Sequence, residues 1–166
     1  MNDAYRMLID QFCKTSNLQP PEPLDGLFNL AVGGVLFFVS PLNDGDGVRL
    51  QLTVHYGELP SQAPALAYCR LLEANVQVFD SMQPKFGIDA ETGSVIATGT
   101  LPLASLTVDS LSDLVLGQAS MVREWRENNF LTPEERARSQ ASARTDAASA
   151  AAGPRLLRAS PSRLGR

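Results

Sequence analysis

The stretch SQAPALAYCRLLEANVQVFD, residues 61–80, decides the fold because it separates two groups of predicted strands. Its first part is typical of a helix whose only charged residues are Arg70 and Glu73. The last five residues, VQVFD, indicate a return to a strand. A surface helix needs one apolar stripe about 100° wide to face its own core. This helix has apolar residues on more than one face, so we ask what the second face contacts.

Three strands are predicted before this helix. LFNLAV and VLFFVS flank Gly33 and Gly34, a pair that suits a tight hairpin. The next stretch, VRLQLTVHY at residues 48–56, alternates apolar and polar side chains without interruption. Successive side chains of a strand point to opposite faces, so this strand has one buried and one solvated face.

Two strands follow VQVFD, namely KFGID and GSVIATGTL, with DAETG (89–93) as the hairpin loop between them. Helical periodicity predicts a first helix over about Asp3–Thr15 and a last helix over Val108–Asn128. The order is therefore α-β-β-β-α-β-β-α. Grouped strands favour the α+β class, with an antiparallel sheet of about five to six strands and helices packed on it.

The composition divides the chain at about residue 130. Residues 1–130 hold 15 acidic and 7 basic residues, whereas residues 131–166 hold 3 acidic and 7 basic ones. We predict one domain over 1–130 and a mostly disordered Ala/Ser/Arg-rich tail over 131–166, with a frayed helix as the alternative. An acidic body disfavours nucleic acid as a partner. The basic tail fits an anionic partner or, more simply, a solubilising role.

The first residues, MNDAYRMLIDQF, lack the basic-then-apolar order of a signal peptide, and no apolar run reaches the length of a membrane span. We therefore expect a cytoplasmic protein without a membrane span. Cys13 and Cys69 lie in helical patterns without metal-ligand spacing, and we interpret both as buried free thiols rather than a disulfide.

The sequence offers little for catalysis. His55 falls on the solvated face of its strand, and a hydrolase hypothesis would pair it with Asp44 or Asp46 and some serine. NDGDG (43–47) lacks the acidic residue that ends a calcium loop, which leaves a hairpin turn as the better interpretation. One histidine and two distant cysteines assemble no zinc site. We expect no enzyme activity and no cofactor.

The apolar residues of the central helix fall into two stripes. We expect the first stripe to face the sheet; it comprises Ala65, Tyr68, Cys69, Leu72 and Val76. We expect the second to form a symmetric dimer contact; with its neighbours it comprises Leu66, Ala67, Arg70, Leu71 and Ala74. Small residues allow the close approach that a two-fold helix contact needs. The alternative is a helix buried on both sides within one protomer.

The ordered set of motifs resembles the class I type III secretion chaperones, the Tir-chaperone or CesT-like family. The family often ends its dimer helix with LL-x-x-N, here Leu71, Leu72 and Asn75. A hairpin and a leucine-bearing strand often follow, here residues 87–101, and the last helix ends in VREWREN. The resemblance covers about residues 3–128. The proline-rich connection at 19–23 and the basic tail are not explained by it.

The resemblance implies a homodimer in the bacterial cytoplasm that binds the N-terminal region of one or more secreted effectors. Such a chaperone holds the effector segment unfolded or extended, keeps it competent for secretion and delivers it to the export apparatus, where the export ATPase is a further partner. The effector-binding residues implied are Leu8, Phe12, Phe28, Phe37, Phe38, Leu101 and Leu103. Two alternatives remain: a protein-binding adaptor on the same fold without a role in export, and a small hydrolase around His55.

Overall fold

The computed structural model describes residues 3–22, 26–43, 47–77 and 83–151, with side chains described as far as residue 145. The helices are α1 (Asp3–Thr15), α2 (Pro64–Gln77), α3 (Val108–Asn128) and α4 (Pro133–Ala151), with a 3₁₀ turn at Leu103–Ser105. The strands are β1 (Phe28–Val32), β2 (Val35–Asn43), β3 (Val48–Gly57), β4 (Lys85–Ile88) and β5 (Val95–Pro102). The predicted α+β class is confirmed, with five strands in one sheet and an additional last helix.

The sheet has the order β1-β2-β3-β5-β4, and every neighbouring pair is antiparallel. The predicted alternation of β3 is confirmed, because Leu50, Leu52, Val54 and Tyr56 are fully buried while the residues between them are half-exposed. We call the face that carries these four residues the inner face. Helices α1 and α3 pack on it and complete one continuous apolar core.

The predicted hairpin between β1 and β2 is confirmed. Val32 pairs with Val35 across a two-residue turn, and Gly33 and Gly34 both have positive φ angles, of 57° and 77°. A turn that requires positive φ at both central residues matches the twist of the flanking strands and selects glycine at low steric cost.

A side chain organises the predicted loop between β4 and β5. The Asp89 carboxylate accepts hydrogen bonds from the Glu91 backbone N–H at 3.0 Å and from the Thr92 hydroxyl at 2.9 Å. These bonds, the backbone bond first, hold the pKa of Asp89 below its ordinary value. The charged carboxylate thus stabilises the tight turn that keeps β4 in register with β5.

Aromatic residues join α3 to the sheet. The buried Tyr56 hydroxyl of β3 donates to Gln118 Oε1 on α3 at 2.9 Å, and burial raises the pKa of Tyr56. Phe86 stacks edge-on against Tyr56 and Phe130, with ring centroids 5.0 and 5.8 Å apart, and Phe130 in turn contacts Trp125 at 5.4 Å. These contacts tie β3 and β4 to α3 and to the residues that directly follow it.

One tyrosine fastens α1 to the sheet. The Tyr5 hydroxyl lies 3.1 Å from the carbonyl oxygen of Gly26 and 3.2 Å from that of Val39, so its single proton can be shared between two acceptors. Burial, with a smaller contribution from the nearby Cys13 thiol, raises the pKa of Tyr5 to about 12. The phenol therefore remains a neutral donor at physiological pH and fixes α1 over β2.

Two predicted features differ from the structure or fall outside it. Helix α2 continues through Val76 and Gln77, so the strand predicted from VQVFD is wrong at these two positions, and its other residues, 78–80, lie outside the described residues. Val76 follows Leu72 by one helical turn, and this spacing outweighs a short alternating pattern. The candidate calcium-loop residues 44–46 also lie outside the described residues.

The chain divides into two compact units, Met1–Leu131 and Thr132–Arg166. Where the sequence predicts a mostly disordered tail, the second unit contains α4, and residues 152–166 lie outside the described residues. A reciprocal capping box starts this helix: Thr132 Oγ1 accepts from the Glu135 N–H at 3.3 Å, and Glu135 accepts from the Thr132 N–H at 2.9 Å. Capping and Ala-rich composition together explain a helix without an apolar face.

Gly99 of β5 offers a test of the packing between β4 and β5. A Cβ atom at Gly99 would lie 3.0 Å from the Pro84 Cα atom, whereas one at Gly87 would meet nothing within 4 Å. We expect Gly99→Ala to lower the free energy of unfolding by about 1–3 kcal/mol, because the backbone at Pro84 must move to make room for the added methyl group. Gly87→Ala is the matched control and should be neutral or slightly stabilising. Equal denaturant midpoints for the two variants would contradict this packing.

Candidate functional site

Two cavities lie between α1 and α3, and we call them together the α1/α3 valley. The first has a volume of ≈ 600 Å³ and is bordered by α1, the 3₁₀ turn and the start of α3. The second has a volume of ≈ 370 Å³ and is bordered by the end of α1, by β1 and by the middle of α3. The valley therefore runs from the 3₁₀ turn to the β1 edge of the sheet.

Two large apolar side chains stand exposed along the valley. Met7 of α1 is 71% exposed and lines the first cavity, and Leu116 of α3 is 59% exposed and lines the second. Neither residue was predicted from the sequence. Met7 directly precedes the buried Leu8, and Leu116 directly follows the buried Val115. Each therefore lies off the buried stripe of its helix. A large apolar residue off the stripe is the signal that could have identified them.

Three of the predicted effector-binding residues form the floor of the valley. Leu8 and Leu103 line its first cavity, and Phe12 lines its second. All three belong to the buried core, so they reach the valley with only a small part of their surface. Exposed polar groups accompany them, including Gln11 of α1 and Asp109 of α3 in the first cavity.

The other four predicted residues lie elsewhere. Leu101 borders a third cavity of ≈ 310 Å³ beside α3, which shares Leu106 with the first cavity of the valley. Phe28 and Phe37 are buried on the inner face of the sheet. Phe38 is half-buried on the opposite face, where it pairs with Thr53. Apolar composition does not separate core positions from surface ones, so the structure brings together only part of the predicted set.

Strand β1 forms one edge of the sheet and adjoins the valley. Leu30 and Val32 pair with Phe37 and Val35 of β2 beside the hairpin turn. Because hydrogen-bonding direction alternates along an antiparallel strand, the intervening residues Asn29 and Ala31 direct their backbone groups away from β2. Both are exposed, and within the described part of the chain no strand lies beyond β1. Since Ala31 and Val32 also line the second cavity, the open edge and the valley meet.

The structure reverses the predicted orientation of α2. Ala67 and Leu71, expected at a dimer contact, are buried in the protomer's own core, and Leu71 is only 4% exposed. Their neighbours in that set are half-buried, namely Leu66, Arg70 and Ala74. The stripe expected to face the sheet is exposed instead; it comprises Ala65, Tyr68, Cys69, Leu72 and Val76. We call these five residues the α2 outer stripe.

Asn75 explains this orientation. Its side-chain Oδ1 accepts a hydrogen bond from the Phe86 backbone N–H at 2.7 Å, and its Nδ2 donates to the Phe86 carbonyl oxygen at 3.1 Å. This pair of hydrogen bonds between the Asn75 side chain and the Phe86 backbone fixes the rotation of the last turn of α2 against β4. Leu71, one helical turn before Asn75, is buried, whereas Leu72 and Val76 are exposed.

The two cysteines are both free thiols, as expected, but only Cys13 is buried. Burial, and then the nearby Asp10 carboxylate, raises the pKa of the Cys13 thiol. Cys69 is exposed, which corrects the expectation that both are buried; it lies in the α2 outer stripe, which faces solvent in the protomer. The accessible Cys69 thiol therefore allows thiol-specific labelling or cross-linking of that stripe.

Of the candidate hydrolase residues, the described part of the chain contains His55. His55 is half-buried on the outer face of the sheet opposite Ile96, and Asp44 and Asp46, its candidate partners, lie outside the described residues. Among the described residues, no group of three or more His, Cys, Asp and Glu is placed to hold a metal ion. No helix within the described ranges is long and apolar enough to cross a membrane.

Neighbouring leucines test the orientation of α2. We expect Leu71→Ala to lower the free energy of unfolding by about 2–5 kcal/mol at every protein concentration, because it leaves a cavity in the core. Leu72 is 66% exposed, so Leu72→Ala should change the stability of the protomer by no more than about 0.5 kcal/mol. Denaturant titrations at several protein concentrations would measure both. The reverse order of effects would contradict the orientation.

A chain of the HopA1-SchA chaperone-effector complex is 25% identical, with a TM-score of 0.61 over 75% of this chain and 94% of that chain. A chain of the ExsC-ExsE complex shares the fold at 18% identity, with a TM-score of 0.59 over 74% of this chain and 90% of that chain.

A chain of the ExoU-SpcU complex, from the type III secretion system of Pseudomonas aeruginosa, also shares the fold. It is 24% identical, with a TM-score of 0.52 over 69% of this chain and 95% of that chain. A search among curated proteins found no match. The family model described as Tir chaperone protein (CesT) family matches residues 7–126, which is most of the chain. The chain belongs to the Tir chaperone protein (CesT) family.

Proposed function

We propose that this chain is a type III secretion chaperone. It binds the N-terminal region of one or more effectors in the bacterial cytoplasm, keeps that region extended and delivers it to the export apparatus, with the export ATPase as a partner at delivery. Membership of the CesT family and likeness to a chain of the HopA1-SchA chaperone-effector complex support this. The observation that carries the proposal is an apolar valley with exposed side chains beside an open sheet edge.

The valley and the edge supply complementary parts of a binding site for an extended segment. The N–H and C=O groups of Asn29 and Ala31, which point away from β2, can pair with the backbone of any sequence. Apolar side chains of the segment can pack on Met7 and Leu116, which gives selectivity. Ordering a disordered segment costs free energy, so a long and largely apolar contact is needed. Holding a chain in this way requires no catalytic group.

We also propose that two copies pair through the α2 outer stripe. Tyr68, Leu72 and Val76 follow each other at intervals of four residues and present one apolar face to solvent. Exposed apolar surface of this kind marks an interaction site, and a two-fold axis requires a patch that is complementary to itself. The outer stripe meets this requirement because one continuous helix face carries it.

The valley is tested with the paired change Met7→Asp and Leu116→Asp in the full chain. Both side chains are largely exposed, so we expect the folded dimer to persist while recovery of the co-purified effector falls at least tenfold. A buried charge at each apolar contact would account for the loss. Co-purification of the effector from cells, quantified by mass spectrometry, measures the effect.

The matched control is Leu42→Asp, which places the same charge at an exposed leucine of β2, outside the residues that line the valley. It should leave effector recovery unchanged. Equal loss in the control and the paired variant would contradict a specific role for the valley. Retention of effector in the paired variant would contradict it directly, and recovery of only folded cytosolic partners would favour the adaptor function.

The dimer contact is tested through Cys69. Packed helices lie roughly 8–10 Å apart, and Cys69 is close to the middle of the outer stripe. We expect a short bismaleimide to link two copies within minutes, because Cys13 is buried and the Cys69 thiols face each other. Leu72→Asp with Val76→Asp should abolish the link and yield monomers in sedimentation experiments. Cys69→Ser should abolish the link but leave the dimer intact.

A monomer at micromolar concentration in the unmodified protein would contradict pairing through α2. So would a dimer that survives the two aspartate changes unaltered. In either case the outer stripe would need a different partner, and the proposed effector site in the valley would be unaffected.

A further inference from the structure

The edge strand β4 has an unusual neighbour in place of a further strand. The Phe86 N–H donates to Asn75 Oδ1 at 2.7 Å, and Asn75 Nδ2 donates to the Phe86 carbonyl oxygen at 3.1 Å. A side-chain amide carries one donor and one acceptor group, as a peptide group does. Asn75 therefore occupies the place that the backbone of a neighbouring strand would take beside Phe86.

The direction of the Phe86 backbone groups agrees with the rest of the hairpin. The Asp89 N–H donates to the Ser94 carbonyl oxygen of the facing segment at 2.9 Å. Since bonding direction alternates along an antiparallel strand, Asp89 and Gly87 turn toward β5 while Phe86 and Ile88 turn toward the edge. At the start of the strand, Pro84 has no N–H to offer. Asn75 thus hydrogen-bonds the backbone groups of Phe86, one of the two residues of β4 whose backbone faces outward.

The opposite edge has no such device within the described residues. In β1, Asn29 and Ala31 are exposed and direct their backbone groups outward, and the valley lies beside them. An unprotected edge is a template for strand pairing, and natural sheets commonly block the edges that must stay single. The two edges of this sheet are therefore unequal in a way that the family resemblance does not specify.

We propose that Asn75 closes the β4 edge against strand pairing and so directs a partner segment to β1. This inference rests on the proposed function for its second half only. Closure of β4 is a property of the chain alone, whereas use of β1 requires bound effector. Asn75 acts as a positioning residue, since it touches β4 and not the bound segment.

The test of closure uses the full chain without effector. We expect Asn75→Ala to speed hydrogen exchange at the Phe86 amide about tenfold, the effect of losing one ordinary hydrogen bond. We also expect assemblies larger than the parent protein to form as concentration rises, measured by sedimentation, because an open edge pairs with another copy. Asn29→Ala, an asparagine change at the opposite edge, is the matched control and should do neither.

A second variant separates an open edge from a misplaced helix. Ile88→Lys adds a charge on β4, which discourages pairing at that edge. Combined with Asn75→Ala, it should restore the parent size while Phe86 still exchanges quickly. Assemblies that persist in the double variant would overturn the inference, as would unchanged exchange at Phe86 in Asn75→Ala.

The use of β1 is tested with the effector complex purified from cells. Bound effector should slow exchange at the Asn29 and Ala31 amides in the parent protein, and in Asn75→Ala it should also slow exchange at Ile88. Slowing at Ile88 in the parent protein would overturn the role of Asn75. Bound effector could instead leave exchange at the Asn29 and Ala31 amides unchanged while the effector-free test still shows a closed β4 edge. That result would refute strand addition at β1 in the proposed function, but not closure of β4 by Asn75.

Discussion

Burial of the inner face of the sheet by α1 and α3 is the interaction on which the rest of the structure depends. Leu50, Leu52 and Val54 of the central strand are fully buried beneath these helices, and Tyr5 and Tyr56 add hydrogen bonds that fix each helix to the sheet. The two helices leave cavities between them. The gap between them becomes the α1/α3 valley, and α2 is left to pack at the β4 edge.

The exposed apolar surfaces differ in shape, and their shapes suit different partners. The valley is concave and ends beside free backbone groups, which suits an extended segment of variable sequence. The α2 outer stripe is one convex helix face, which suits a second copy of the same face. An acidic body, with 15 acidic against 7 basic residues over 1–130, keeps such a protein soluble while these surfaces are uncovered.

Local patterns predicted the elements that local physics determines. The periods of 3.6 and 2 residues located α1, α3 and β3 at their observed positions, and Gly33-Gly34 located the first hairpin. The rotation of α2 was not predictable in this way, because both of its stripes are apolar. Its orientation depends on Asn75 and Phe86, which are 11 residues apart and meet only in the folded sheet.

The candidate effector site was predicted only in part, again because its residues come together only in the folded chain. The family resemblance pointed to Leu8, Phe12 and Leu103, which form the floor of the valley, but it also pointed to the buried Phe28 and Phe37. Met7 and Leu116 become neighbours of one groove only when α1 and α3 lie on the sheet. Helix α4 begins with a capping box, a feature of residue order that the overall composition of the tail does not reveal.

The proposed function requires that this chain hold an effector's N-terminal segment in an extended form. The most direct test is to purify the tagged full chain with its partner from the bacterium, determine the stoichiometry by native mass spectrometry, and map the protected segment by limited proteolysis. We expect two copies of this chain on one effector, with protection confined to an N-terminal stretch of tens of residues. A folded partner that is protected nowhere, or protected only outside its N-terminal region, would contradict it.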